Sequence, residues 1–335
     1  MKRLKWGILA PGIISHKFAK ALRINGSELY AVGSRTLSRA QKFATEYDAS
    51  HAYGSYEELL SDEKVDVVYI ANPHSHHAKT IIQSLRAGKH VLCEKPLCVN
   101  EEEAEECRCA AKENGRFLME AMWSRFLPMY HSRLPDLLRN GIIGEIRMIT
   151  ADYSFDGDPD PNYRILNAKL AGGGLLDVGV YAVHFTNLLL GNPTEIASVC
   201  HVGETGVDLQ SAISMKFGHL AVANITTGIK CVGTQEAVIV GTKGFIRLPY
   251  FSQGQTATIF VSGAEPEVLD CRYENGFQYE IAEAERCIAE GLLESPVLPL
   301  STTMDVLRTM DTLRRQWGTD IIYREAVRGS DSSIS

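Results

Sequence analysis

The amino-acid sequence predicts a two-part α/β protein, in which a doubly wound parallel sheet precedes an α+β domain with a largely antiparallel, open sheet. Three observations lead to this prediction. The chain has 335 residues, more than one core usually supports. Its first third alternates short apolar runs with helical patterns, which is typical of a parallel sheet covered by helices. After Pro128, strand-like runs separated by hairpin-type turns dominate.

The predicted first domain, residues 1–123, contains six strands with helices between them. The run at 65–71 is the clearest buried strand because nearly all of its residues are apolar. The helix after the fifth strand is predicted to begin at Asn100, with Glu103 completing the cap, and to stop at Gly115. The six strands are LKWGILA at 4–10, ELYAVGS at 28–34, HAYG at 51–54, VDVVYIA at 65–71, HVLC at 90–93 and RFLMEA at 116–121.

The predicted second domain, residues 124–330, opens with a helix and continues mainly with strands. A helix from about Leu175 is almost wholly apolar, so it is expected to be buried. A last amphipathic helix is predicted over roughly Thr302–Trp317. The strand-like runs are EIRMITADYSF at 145–155, SAISMKF at 211–217 and AVIVGTKGFIRLP at 237–249.

Composition narrows the class of partner and the cellular compartment. The formal charge of −7, from 34 basic and 41 acidic residues, argues against nucleic acid or an anionic membrane as a partner. No apolar run is expected to be long enough to span a bilayer, and MKRLKWGILAPG is too broken for a secretory signal. The 8 cysteines include no CxxC pair, which favours reduced thiols in the cytoplasm.

The turn after the first strand is a candidate dinucleotide site. A glycine-rich turn that runs into a helix lets backbone amides, here those of Ile13 and Ile14, meet a pyrophosphate. The three glycine positions are filled by Ala10, Gly12 and Ser15, so only the middle one is glycine. An ordinary strand–helix turn is the alternative.

The end of the second strand predicts which dinucleotide binds. Arg35 follows Gly12 by 23 residues, close to the spacing of about 20 at which an acidic residue usually contacts the ribose. Ser34, Arg35 and Arg39 stand there instead. Because arginine attracts a 2′-phosphate that an acid would repel, NADP is expected, with NAD as the alternative. Two solvated surface arginines are the structural alternative.

The turns after the fourth and fifth strands, NPHSHH and EKPL, are expected at the same sheet edge. Lys95 should reach over the reactive end of the cofactor, and Pro96 should keep Lys95 extended. Glu94 can anchor local backbone or ribose hydroxyls, and Asn72 and Pro73 should line the edge. No metal is predicted, because the neighbouring histidines have no cysteine or carboxylate at ligand spacing.

Three polar side chains interrupt the apolar helix of the second domain. Asp177, Tyr181 and His184 follow one another at offsets of four and three residues, which places them on one helix face. Since an unpaired buried carboxylate is costly, this face should meet a site or a partner. Gly172–Gly174 would let another backbone or a ligand approach closely. A purely structural network is the alternative.

Together these motifs resemble the Gfo/Idh/MocA oxidoreductase family. The resemblance is carried by CEKPL, NPHSHH and the SR that follows the second strand. It is narrowed by EAMWSRFLP at 120–128 and AGGGLLDVGVY at 171–181 to the branch that contains dihydrodiol and NADP-dependent D-xylose dehydrogenases. It extends over nearly the whole chain. Ala10 and Ser15 depart from the family's glycine-rich turn.

The resemblance implies a Rossmann domain and an NADP-dependent oxidoreductase acting on an aldose or a trans-dihydrodiol. It places Asp177 and Tyr181, with His184, beside the substrate and across from Lys95. Tyrosine has a pKa near 10, which a nearby ammonium lowers, so Tyr181 is predicted as the general acid/base with Lys95 tuning it. Family members differ over whether tyrosine, histidine or lysine moves the proton. A homodimer through the second sheet is also expected.

Further positions follow from the resemblance with alternatives open. His77 is expected to contact the cofactor. Trp123 and Arg125 are expected to line the cofactor or active site, with interdomain packing as the alternative. The run of Asn162, Tyr163 and Arg164 is expected to contact substrate, with an exposed loop as the alternative. Two other functions are compatible with the fold: hydrolysis or elimination through a tightly bound nicotinamide, and non-catalytic nicotinamide sensing.

Overall fold

The structure, a computed structural model, describes residues 3–218 and 220–320. The chain divides into two compact units. The first runs to Trp123 and also takes in Asn275–Met304. The second comprises Ser124–Glu274 and the chain from Asp305. Residues 321–330 of the predicted second domain lie outside the described residues.

The first unit is built on a six-stranded parallel sheet in the order β3-β2-β1-β4-β5-β6. Strand order reverses between β1 and β4, which is the switch point where such sheets bind ligands. The prediction of a doubly wound sheet is therefore confirmed. The strands are β1 Lys5–Leu9, β2 Glu28–Gly33, β3 His51–Tyr53, β4 Val67–Ile70, β5 His90–Glu94 and β6 Leu118–Ala121.

Helices connect these strands and bury one apolar face each. In α2, Ala40, Phe43, Ala44 and Tyr47 are buried, as the helical spacing predicts. Asn100 caps α5 by accepting a hydrogen bond from the Glu103 amide at 2.9 Å. The helices are α1 Ile13–Asn25, α2 Leu37–Tyr47, α3 Tyr56–Leu60, α4 His77–Arg86 and α5 Glu101–Asn114.

One helix of the first unit, α8 (Phe277–Ala289), is assigned by the sequence to the second domain. That assignment is wrong because α8 bonds to the first sheet and to α1. Asn25 donates to the Gln278 carbonyl at 2.8 Å, and the Trp6 indole donates to Glu285 at 2.9 Å. The return of the chain to its first unit depends on contacts between distant residues, so no local sequence pattern predicts it.

The second unit contains an eight-stranded sheet in the order β14-β13-β12-β11-β7-β10-β9-β8. The pair β10–β7 is parallel and the other six pairs are antiparallel, which confirms the predicted open sheet. The strands are β7 Ile146–Ser154, β8 Glu195–Val202, β9 Asp208–Phe217, β10 Ala221–Gly228, β11 Ala237–Gly241, β12 Gly244–Leu248, β13 Thr256–Val261 and β14 Glu267–Asp270.

The helices of the second unit include α6 (Leu134–Arg139) and α7 (Val180–Leu190). A π-helical turn, Leu175–Gly179, leads directly into α7, and its five residues are all buried, as the apolar run predicts. The last helix, α9, spans Leu300–Trp317 and confirms the predicted amphipathic helix.

By length and composition alone, the segment Ala168–Leu190 could cross a membrane. The expectation that no run reaches that length is therefore wrong. Within the protein, however, 78% of its apolar window is buried. That burial is what the core helix of a folded unit shows, so the segment is weak evidence for a membrane span.

Candidate active site

The turn between β1 and α1 leaves the start of the helix open. A methyl group built on Gly12 would meet only the Ala10 carbonyl oxygen, at 3.9 Å. No side chain caps α1, its first turn holds no acid, and the Ile13 side chain is 85% exposed. Its first amides can therefore meet an anion, which fits the predicted pyrophosphate site.

The two departures from a glycine-rich turn have a structural account. Ala10 has a φ of +66°, a conformation that glycine adopts without strain and alanine tolerates at a cost. The buried Ser15 hydroxyl donates to the Ala10 carbonyl at 3.1 Å, and the Ala10 amide donates to Gly33 at 3.0 Å. These bonds hold the turn in place without the other two glycines.

A cluster of cations lies beyond β2 and β4. Burial lowers the pKa of His76, and the charges of Arg35 and Lys79 lower it further. Burial raises the pKa of Tyr56, and Arg35 and Arg39 act against that shift. Arg35 and Arg39 are exposed, whereas Ser34 is buried and accepts a hydrogen bond from the Thr36 amide at 3.3 Å. The arginines and their neighbours are therefore placed to attract an anion.

His77 joins the two turns that the sequence predicts at the sheet edge. Its Nδ1 lies 2.9 Å from the Pro96 carbonyl oxygen and its Nε2 lies 2.9 Å from the Asn72 carbonyl oxygen. The side chain is completely buried. Both ring nitrogens therefore face backbone and tie the two turns together, and the cofactor contact of His77 stays a prediction. Asn72 itself donates to the Thr80 hydroxyl at 2.8 Å.

Glu94, at the end of β5, anchors the turn that carries Lys95. Its carboxyl accepts hydrogen bonds from the Tyr69 hydroxyl and from the Lys95 amide, the latter at 3.2 Å. Burial raises the pKa of Glu94, and the Tyr69 bond and the Lys95 charge act against that shift. Of the two predicted roles, backbone anchoring is thus the one observed. The Lys95–Pro96 peptide bond is cis.

Lys17 and an aromatic pair lie beside Glu94. The Lys17 ammonium is 4.1 Å from the centroid of Trp123 and 4.6 Å from that of Phe277, and these two rings stack at 5.4 Å. Burial lowers the pKa of Lys17, while Glu280 and Glu94 raise it. Trp123 therefore packs inside the first unit. Sequence reasoning missed Lys17, Tyr69, Phe277 and Glu280.

In the second unit, Asp177 has a cation as its partner. The Arg164 guanidinium lies 2.8 Å and 3.4 Å from the two Asp177 carboxylate oxygens. The Asp177 side chain is only 6% exposed, whereas that of Arg164 is 47% exposed. The polar partner of this buried carboxylate is thus a residue predicted to contact substrate. That this helix face meets a site or a partner stays a prediction, with a structural network as its alternative.

The three glycines before this helix admit another backbone segment. A methyl group on Gly172 would lie 2.5 Å from the Arg164 carbonyl oxygen and 2.6 Å from that of Ile165. The Gly173 amide donates to the Ile165 carbonyl at 2.8 Å. Of the two approaches that the sequence leaves open, the approach of backbone is thus observed at Gly172, and the approach of a ligand stays a prediction.

Tyr181 and His184 line a narrow cavity within the second unit, with a volume of about 10 Å³. The Tyr181 ring lies 5.3 Å from that of Tyr153 on β7, a neighbour that the sequence does not reveal. Arg125 donates to the His184 carbonyl at 3.2 Å, so it supports α7. The cavity is lined by Ser124, Arg125, Tyr130, Tyr181, His184, Phe185, Leu188, Phe251 and Ser252.

The remaining predicted residues lie on an exposed loop. Asn162 is exposed and bonds through its amide to Asp160 at 2.9 Å, and Tyr163 is 37% exposed. Over residues 3–218 and 220–320, no group of three or more histidine, cysteine or acidic side chains could hold a metal ion.

Comparison with known proteins identifies the family. Residues 4–122 match a family model described as "Oxidoreductase family, NAD-binding Rossmann fold", and residues 131–247 match the GFO/IDH/MocA C-terminal domain. The chain belongs to the Gfo/Idh/MocA oxidoreductase family. The resemblance inferred from its motifs is confirmed, as is its assignment as an oxidoreductase with a nicotinamide-binding Rossmann domain.

Relatives match this family member along its length. It is 36% identical to trans-1,2-dihydrobenzene-1,2-diol dehydrogenase of Mus musculus and 35% identical to that of Homo sapiens, in each case over 94% of this chain and 97% of the relative. A 3-ketoreductase from Actinomadura kijaniata, solved with NADP and TDP-benzene, superposes with a TM-score of 0.85 at 27% identity, over 94% and 98% of the two chains.

A third comparison is with aldose-aldose oxidoreductase from Caulobacter crescentus, solved with glycerol. It superposes with a TM-score of 0.82 at 27% identity, over 98% of both chains.

Replacing Gly172 with alanine tests the close backbone approach. The methyl group would meet two carbonyl oxygens, so the loop that carries Arg164 must shift, and we expect a loss of about 1–3 kcal/mol in unfolding free energy. Gly174→Ala is the matched control, because its methyl group would first meet a side-chain oxygen, at 3.2 Å. Denaturant unfolding measures both, and equal losses would contradict the assignment.

Proposed function

We propose that this oxidoreductase is an NADP-dependent dehydrogenase or reductase. It transfers a hydride between the nicotinamide and a hydroxyl or carbonyl carbon of a small polyhydroxylated substrate, an aldose or a trans-dihydrodiol. The observation that carries this proposal is the open, uncapped start of α1 beside the Arg35 cluster, in a chain whose relatives of equal length are dihydrodiol dehydrogenases.

The residues of the first unit fit the cofactor. The first amides of α1, those of Ile13 and Ile14 beyond Gly12, would hold the pyrophosphate. Arg35 and Arg39, with Ser34 at the end of β2, would hold the 2′-phosphate. Asn72 and Pro73 would line the sheet edge. When bound, the cofactor accepts or donates the hydride.

The proton step is assigned to Tyr181. Removing the substrate's hydroxyl proton needs a base, and a nearby ammonium would favour the tyrosinate form of the side chain. We assign that ammonium to Lys95, whose turn Glu94 and His77 anchor. Asp177, held by Arg164, orients the substrate, and His184 is the alternative proton carrier.

A substrate screen tests the proposed activity. With NADP⁺ as the added cofactor, trans-dihydrodiols, aldoses and polyols are offered to the full-length protein, and the absorbance of reduced nicotinamide is followed. We expect turnover with at least one member of the first two classes. No turnover with either, or chemistry that needs no exchangeable cofactor, would contradict the proposal.

Tyr181→Phe then tests the proton carrier with the identified substrate. We expect kcat to fall by about 10²–10⁴-fold, because the general acid/base is lost, while NADP affinity is unchanged. Tyr250→Phe is the control, since Tyr250 is 58% exposed. Full turnover by Tyr181→Phe would remove this tyrosine from the role.

Arg35→Ala tests cofactor selection. Loss of a charge-assisted contact should weaken NADP⁺ binding by about 10–100-fold and leave NAD⁺ binding nearly unchanged. Arg23→Ala is the control, because Arg23 lies on α1 and pairs with Asp48 at 2.6 Å. Titrations followed by tryptophan fluorescence give the dissociation constants. Tighter binding of NAD⁺ than of NADP⁺ by the natural protein would contradict the proposal.

We also propose that the protein is a homodimer that pairs through its eight-stranded sheet. Support comes from apolar side chains on the exposed face of that sheet, where Val199 is 71% and Val222 is 44% exposed. Strand register places both on one face, because Val199 pairs with Ala212 and Val222 with Lys216, two exposed residues of β9.

The double variant Val199→Glu/Val222→Glu should therefore be a monomer in light scattering at micromolar concentration, whereas the natural protein should be a dimer. Ile24→Glu on α1, where Ile24 is 41% exposed, is the control for an added surface charge. A monomeric natural protein would contradict the proposed dimer.

We further propose a cytoplasmic location and a small-molecule partner rather than nucleic acid or a membrane. The eight cysteines, all among the described residues, are free thiols, and the net charge is −7. Microscopy of a fluorescently tagged full-length chain tests the location.

A further inference from the structure

Glu280, on α8 of the first unit, is a buried carboxyl group that the proposed reaction does not use. Its side chain has no exposed surface, and neither of its oxygens has a hydrogen-bond partner among the described residues. A carboxylate in such a place is costly, so the group must carry a proton or respond to a charge nearby.

Three titratable groups interact electrostatically with Glu280, each from a different element. They are Lys17 of α1, Tyr69 of β4 and Glu94 of β5. Burial and the charge of Glu94 raise the pKa of Glu280 well above its ordinary value, and Lys17 acts against them. The aromatic rings of Trp123 and Phe277 lie against the half-buried Lys17 ammonium.

The hydrogen bonds decide which of the two carboxyls holds the proton. Glu94 accepts from the Tyr69 hydroxyl and from the Lys95 amide, and both bonds favour its ionised form. Glu280 accepts none from the described residues. The hydrogen bonds therefore favour the ionised form at Glu94, and burial without a donor favours the protonated form at Glu280.

The position of this cluster connects it with the cofactor. Glu94 is the last residue of β5 and precedes Lys95, which we place at the reactive end of the nicotinamide. Lys17 lies in the second turn of α1, the helix whose start would hold the pyrophosphate. An oxidised nicotinamide ring carries a positive charge and a reduced one does not, so the two forms present different charges to the cluster.

We propose that Glu280 is a positioning residue whose proton is exchanged with solvent according to the redox state of the bound cofactor. In the free protein and with the reduced cofactor it holds the proton. With the oxidised cofactor it releases the proton to water, and the resulting carboxylate stabilises the cationic ring. No other bond forms or breaks. This inference rests on the proposed nicotinamide function.

The sign of the pH dependence follows from linkage. Because the oxidised cofactor favours the ionised carboxyl, its affinity should rise with pH, by up to about tenfold per pH unit, until Glu280 is ionised in the free protein as well. The affinity for the reduced cofactor should lack this rise. Both forms carry the same 2′-phosphate and would meet the same His76. The pH dependence that these two groups add to the affinity therefore cancels when the oxidised and the reduced cofactor are compared.

Calorimetric titration of the full-length protein tests the proposal. NADP⁺ and NADPH are each titrated near pH 7 in two buffers that differ in ionisation enthalpy, which gives the number of protons released per cofactor bound. We expect NADP⁺ to release more protons than NADPH, by up to about one per site. This comparison in the natural protein needs no variant, so it holds even if a variant fails to fold.

Glu280→Gln keeps the shape of the side chain and removes the proton exchange. We expect the difference between NADP⁺ and NADPH to disappear in this variant and to persist in Glu290→Gln, whose residue is exposed at the end of the same helix. Equal proton release on binding the two cofactors would overturn the inference about Glu280 and leave the proposed function standing. So would a difference in proton release that persists in Glu280→Gln. If neither cofactor binds, the proposed function fails, and the inference fails with it.

Discussion

A carboxylate that leaves water needs a hydrogen-bond donor, a cation or a proton, and three of the buried acids among the described residues meet this requirement in three different ways. Glu94 takes two donors, one from Tyr69 and one from the Lys95 amide. Asp177 takes a cation, Arg164. Glu280 has neither among the described residues, and its raised pKa favours the protonated form. These contacts also hold residues of the proposed reaction. Glu94 holds the backbone of Lys95, and Arg164 holds Asp177.

Two residues that the sequence predicts at the cofactor or the active site also have structural contacts. His77 places its two ring nitrogens against two backbone carbonyls and thereby joins the turn after β4 to the turn that carries Lys95. Arg125 bonds to the His184 carbonyl and supports the helix that carries Tyr181. His77 and Arg125 would then act on the reaction by holding other residues in position. Hydride and proton transfer both require such precise positioning.

How much of the site is predictable depends on whether its contacts are local. Asn72, Lys95 and Ser34 follow strands of a parallel sheet, so their common edge follows from chain order and the rule for strand ends. Glu280, Lys17 and Phe277 come from helices distant in the chain, and no periodicity relates α8 to α1. The Arg164–Asp177 pair was also missed as a pair, although both members were predicted. The loop that carries Arg164 returns to the helix only because Gly172 lacks a side chain.

The sequence by itself determined the two sheets, the family, the strand-end residues and the burial of the apolar helix, because hydrophobic periodicity and short motifs are local properties of the chain. The tertiary structure decided the rest: that α8 belongs to the first unit, that His77 is buried, and that the Glu280 carboxyl has no hydrogen-bond partner among residues 3–218 and 220–320. The physical reason is that ionisation, hydrogen bonding and burial depend on neighbours in space, which residues far apart in the chain supply.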